Sequence, residues 1–185
     1  MKHASWWLAG ALIWGFAEAT FFFIVPDILL TAAVLMLGFR PALRFAVAAA
    51  GAACVGGLIM FAWGANDPGA ARGFLLSVPL VGDDLLVRVA SEIAGAWPIN
   101  LTLGALTGAP FKIYAVEAGA AGLNPAIFVI VGFAARMARF GLAIILTALG
   151  LAFARRMGLE RLAPYGLAVV WVVIYGTYLM IRLGA

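Results

Sequence analysis

An all-α polytopic membrane fold, with two opposed re-entrant helical hairpins and about three transmembrane helices in an inverted-topology repeat, is predicted by three observations. Hydrophobic residues fill 66% of the 185 positions and charged residues 11%, with a mean hydropathy of +1.11. That composition excludes a soluble domain with one buried core. Apolar runs of membrane length recur along the chain, and two of them are interrupted by proline, at Pro26 and Pro110.

The first run, from Ala4 to Phe39, is about twice the ~20 residues that one crossing of a ~30 Å hydrocarbon core requires. It must cross twice or fold back. Pro26 cannot donate a backbone hydrogen bond and biases Val25 away from helix, so the break is expected at Val25-Pro26. Arms of ~17 residues are marginal for a full crossing, which favours a re-entrant hairpin over residues 4–39. A transmembrane helix follows at 45–64, and Gly64-Ala-Asn-Asp-Pro-Gly69 reads as a turn-rich loop. Asp83, Asp84 and Arg88 mark an interfacial helix or loop of solvated charges. A second hairpin is expected over 93–124, broken at Thr107-Gly-Ala-Pro110, with Lys112 and Glu117 on its second arm. Asn124-Pro125 opens the next transmembrane segment, 126–154; a basic connector and a last crossing at 164–181 complete a single integral membrane domain over 1–185.

Charge and small-residue patterns fit this layout. With each hairpin returning to the side it left, Lys2, Arg40, Arg44, Arg155, Arg156 and Arg161 share one side, and Arg72, Arg88 and Arg182 the other. The 22 glycines suit close helix packing, and Gly104 and Gly108 form one small-xxx-small pair. The formal charge of +4 is scattered over segment ends, so no nucleic acid is expected as a partner. A cleaved signal peptide ending near Ala17-Glu-Ala19 is disfavoured, because the apolar run continues past Glu18. Cys54 is the only cysteine and His3 has no sequence neighbour to share a metal, so neither a disulfide nor a metal or other cofactor is expected. Phosphate loops, dinucleotide glycine patterns and a Ser/His/Asp set are absent, so no enzymatic activity is expected.

The informative residues are charges inside apolar runs. Glu18 and Asp27 flank the first break, and an intramembrane carboxylate is a functional hypothesis by default. Brought together, the two would favour holding a proton, which makes them candidate proton-responsive groups. The bland alternative is an ion pair that holds the bundle. If the hairpin tips meet, Lys112 is the natural counter-charge for either acid. Arg136 and Arg139, three apart on one helix face, could grip an anionic headgroup, or else snorkel or pair with Glu117. Trp6, Trp7, Trp171 and Tyr178 read as interface anchors or packing.

Glu18 through Pro26-Asp27, the small-rich stretch Gly51 to Gly64, Pro110-Phe-Lys112 and Arg136-Met-Ala-Arg139-Phe140 together resemble the DedA family, also called SNARE-associated or VTT-domain membrane proteins. The likeness spans roughly Ala11 to Gly150. Larger members carry arginines flanking the second-hairpin proline, where this chain has Thr107 and Ile113. A shorter subgroup, with proline-x-lysine followed by paired arginines, is matched better by Pro110, Lys112, Arg136 and Arg139. The resemblance implies two opposed re-entrant hairpins, lipid movement across the membrane, recycling of polyprenyl-phosphate carriers in bacterial members, and a link to proton-motive force. It implies a bacterial inner (cytoplasmic) membrane.

The function expected from residues and resemblance together is a membrane transporter or flippase for an anionic lipid or amphiphile, such as a polyprenyl phosphate, coupled to protons. Glu18 and Asp27 would respond to protons and Lys112, Arg136 and Arg139 would bind the headgroup. Membrane lipids and protons are the expected partners, and a homo-oligomer is compatible with the pattern. The alternative is a non-transporting membrane scaffold whose buried charges are structural.

Overall fold

The computed structural model describes residues 2–183, and side chains over 5–180. Lys2, His3 and Arg182 therefore have side chains outside the described set. The helices are α1 (Lys2–Glu18), α2 (Asp27–Leu37), α3 (Phe39–Asn66), α4 (Pro68–Ser77), α5 (Asp83–Ala94), α6 (Trp97–Thr107), α7 (Phe111–Ala120), α8 (Pro125–Arg156) and α9 (Ala163–Leu183). No strand forms among the described residues.

Three helical segments are long and apolar enough to cross a membrane: Phe39–Asn66, Pro125–Arg156 and Glu160–Met180. These dimensions make the chain an integral membrane protein. By contrast α2, α6 and α7 contain 11, 11 and 10 residues. At ~1.5 Å per residue each reaches ~15–17 Å, about half of a ~30 Å core.

The observed breaks follow from local chemistry. α1 ends at Glu18, well before the expected Val25-Pro26 point, and Pro26 serves instead as the residue that caps α2. The non-helical backbone is thus 19–26, wider than proline alone dictates. The second break lies where its sequence placed it: Gly108 ends α6 in the left-handed conformation with φ of 93°, and Pro110 precedes α7. Asn124 caps α8 through Oδ1, which accepts from the backbone N–H of Ala126 and Ile127, and Pro125 occupies the first turn.

Two expectations need correction. The Gly64–Gly69 stretch is largely helical, because Asp67 Oδ1 accepts from Ala70 N at 2.9 Å and starts α4 directly after α3. Gly104 and Gly108 do not act as a pair: Gly104 packs α6 against the Tyr114 ring of α7, whereas Gly108 is a helix stop. Asp83, Asp84 and Arg88 do lie on a helix, the exposed face of α5, whose Leu85, Leu86, Val89 and Ile93 are buried.

α3 is central, packing against α1, α7 and α8, while α8 also receives α2 and α6. Close approach depends on glycine: a Cβ at Gly15 would strike the backbone of Ala49, one at Gly64 that of Val116, and one at Gly119 that of Phe61. Two apolar clusters result, one around Phe61, Leu85, Phe111 and Phe128, the other around Leu30, Phe45, Phe140 and Ile144. On α8, Ala135 belongs to the first and Phe140 to the second, so Arg136 and Arg139 stand at the seam.

Candidate functional site

Both breaks meet at that seam. Glu18 is the last residue of α1, Asp27 the first of α2 and Lys112 the second of α7; Arg136 and Arg139 come from the middle of α8. Glu18, Asp27, Lys112 and Arg136 are all buried.

Each acid has its own arginine. Arg136 Nη2 lies 2.7 Å from Glu18 Oε2, and Arg139 Nε lies 3.2 Å from Asp27 Oδ2. Asp27 also sits at a helix N-terminus, where the peptide dipoles favour negative charge; Glu18 sits at a C-terminus, where they oppose it. Glu18 therefore depends more on its counter-ion. Its pair is a charge contact without aligned hydrogen bonds, because Glu18 Oε2 and Arg136 Nε make none. Arg136 additionally lies over the Phe111 ring, 4.3 Å from its centroid.

Lys112 does not bridge to a carboxylate. Its Nζ donates to the carbonyls of Glu18 at 3.0 Å and Phe22 at 2.7 Å, satisfying backbone that α1 leaves open where it ends. Other side chains complete the first break: Trp14 Nε1 donates to the Ile24 carbonyl at 2.8 Å, and Val25 N donates to Tyr175 Oη at 2.8 Å. At the second break, Arg139 Nη1 donates to the Ala105 carbonyl at 2.9 Å. Irregular backbone is thus satisfied by protein, as a bilayer requires. Arg139 joins the two broken segments, holding Asp27 of α2 and the Ala105 carbonyl of α6.

Two spaces adjoin the charges. A cavity of about 20 Å³, about the size of one water, is bordered by Glu18, Asp27, Arg136 and Arg139. A larger cavity of about 490 Å³ has Glu18, Lys112 and Arg139 at its charged end. Its walls come from Thr107 to Pro110, from Pro79 to Val81 and from the α9 face carrying Trp171, Tyr175 and Tyr178. Trp171 Nε1 also donates to Thr31 Oγ1 at 3.0 Å, fastening α9 to α2. Volume and mixed lining fall within the range of small-molecule sites, ~300–1,000 Å³. Three cations against two carboxylates leave the cluster one formal positive charge, so the cavity's charged end suits an anion.

Glu18 and Asp27 line one small cavity, and Lys112 and Arg139 open on the larger one. Arg136 faces the small cavity alone of the two. Glu117 lies apart, paired with Arg72 at 2.6 Å, so it competes for neither Arg136 nor Arg139. Sequence reading missed Tyr175 and underrated Trp171 and Tyr178. Their signal was an aromatic at 171, 175 and 178, one helical face in an otherwise aliphatic run. Trp6, by contrast, is exposed, and Trp7 stacks on Phe45.

No family model, no curated protein and no solved structure matches the chain.

Proposed function

We propose that this protein is a transporter or flippase for an anionic lipid or related amphiphile, with two opposed re-entrant hairpins of the DedA type. The observation that carries the reading is the 490 Å³ cavity, charged at one end by Lys112, Arg139 and Glu18 and walled by apolar and aromatic side chains. An amphiphile needs both environments at once. Anionic cargo follows from the surplus cation, and polyprenyl phosphate is the favoured candidate because it joins a compact anion to an apolar tail.

Three features support opposed hairpins. α2, α6 and α7 are too short to cross. α1 packs on α3 as α6 packs on α8, and α2 touches α8 as α7 touches α3, the pattern an inverted repeat produces. Lys112 of the second half also supplies hydrogen bonds to the first break, and Arg139 on α8 holds Asp27 of α2 as well as the Ala105 carbonyl of α6. The charge bias of the connecting segments fits a bacterial inner membrane, with the arginines of 40, 44, 155, 156 and 161 in the cytoplasm.

Glu18 is the proton-responsive group in this reading. It sits at an unfavourable helix end and its ion pair lacks aligned hydrogen bonds, so of the two acids it is the less firmly held, and its loss would leave Arg136 as a buried cation beside the small cavity. Asp27, held by Arg139 and its helix dipole, has the supporting part.

The experiment is translocation of a labelled polyprenyl phosphate in proteoliposomes, with and without a pH gradient, for wild type and Glu18→Gln. Movement that follows the gradient in wild type and ignores it in Glu18→Gln is the expected outcome. Gradient-driven movement retained by the variant would remove Glu18 from coupling. A second reading, a scaffold with structural ion pairs, draws on the burial of both pairs, and wild type moving no lipid would favour it.

A further inference from the structure

A second apolar groove lies away from the charged cluster, between α2, α8 and the start of α9. It has a volume of about 480 Å³ and is lined along α8 from Leu146 to Ala154, along α9 from Ala163 to Val170, and by Leu35 of α2. Its hollow is made by small residues. Gly150 on α8 and Gly166 on α9 both line it, and a Cβ at either would meet no atom within 4 Å. These glycines therefore differ from Gly64 and Gly119, which let backbones touch.

Basic residues adjoin one end of the groove in sequence: Arg155 and Arg156 directly follow Ala154, and Arg161 directly precedes Leu162, both lining residues, although the arginines themselves do not line it. All three arginines are exposed and form no ion pair among the described residues; Glu160 is the one acid in this turn. From Ala154 back to Leu146 the groove runs ~12 Å along α8 at ~1.5 Å per residue, within the depth of one leaflet of a ~30 Å core.

We propose that this groove is a binding site for an anionic phospholipid, distinct from the central cavity, with an acyl chain between α8 and α9 and the phosphate held by Arg155, Arg156 and Arg161. Charge complementarity selects this occupant. A neutral lipid would fill the apolar part and leave three cations unanswered, and a second copy of this chain would bring the same positive turn against itself.

The test measures retention of phosphatidylglycerol and phosphatidylcholine by the purified full chain, by native mass spectrometry. Wild type should prefer phosphatidylglycerol, and each of Arg155→Gln, Arg156→Gln and Arg161→Gln should weaken that preference about fivefold. Gly150→Leu with Gly166→Leu, whose new side chains enter open space, should release the bound lipid while an Arg88→Gln control, an exposed cation on α5, keeps it. Equal retention of the two lipids by wild type overturns the proposal. So does loss through the arginine variants with none through the leucines, which would mean surface attraction without a groove. A change of oligomeric state in the leucine variant with lipid retention intact would give the groove to a second copy and also overturn it.

Discussion

Asp27 and Arg139 differ in what each leaves behind when its partner is removed. Asp27 keeps only 3% of its side chain accessible, whereas Arg139 keeps 24% and opens on the larger cavity. Arg139→Gln strands a buried carboxylate, and breaking a buried pair in that way costs about 3–5 kcal/mol. Asp27→Asn leaves an arginine that still bonds the Ala105 carbonyl, and should cost clearly less. Thermal unfolding in detergent checks the order, and equal losses would mean the pair acts as an exposed one. At this scale the sequence named charges that the fold brings together, but not their partners. Burial of Glu18, Asp27, Lys112 and Arg136 is legible because they stand in apolar runs. Which cation meets which acid depends on how α7 and α8 turn, and Lys112 was free to choose carbonyls over carboxylates because two arginines reached the acids.

Among helices, contact distance is set by single glycines on α3 and α7. Gly64 and Gly119 face the backbones of Val116 and Phe61, while Gly51, on the same helix as Gly64, faces nothing within 4 Å. Gly64→Ala and Gly119→Ala should each lower stability by about 1–3 kcal/mol through overpacking. Gly51→Ala should raise it by about 0.4–1 kcal/mol, through the unfolded chain's lost freedom. Similar effects at all three positions would contradict the packing described. The second break and the start of α8 could be read directly, since Gly108, Pro110, Asn124 and Pro125 carry their own stop and start chemistry. α4 carries the same cap-and-proline start in Asp67-Pro68, but the flanking Gly64 and Gly69 make the stretch resemble a loop. The early end of α1 is a tertiary effect, with Lys112 and Tyr175 supplying partners that the local sequence lacks.

For the whole molecule, re-entrant hairpins and full crossings differ in where the first break emerges. In a Cys54→Ser background, Ser5→Cys and Leu37→Cys should react with a membrane-impermeant maleimide from one side of the membrane, and Phe23→Cys should resist it from the other. Rapid labelling of Phe23→Cys from the opposite side would establish two crossings. The three long helices were legible from hydropathy and length alone, whereas the cavity was not, because it is enclosed by segments far apart in sequence: the two breaks and α9. The most direct measurement of what the cavity holds is photo-crosslinking in vesicles with a long-chain alkyl phosphate carrying a diazirine next to its headgroup, followed by mapping of the adducts. Adducts concentrated on Trp171, Ile174 and Tyr178, displaced by unlabelled alkyl phosphate and not by phosphatidylcholine, are what an anionic amphiphile site predicts. Adducts spread evenly over the lipid-facing surface of α9, displaced equally by both, would contradict it.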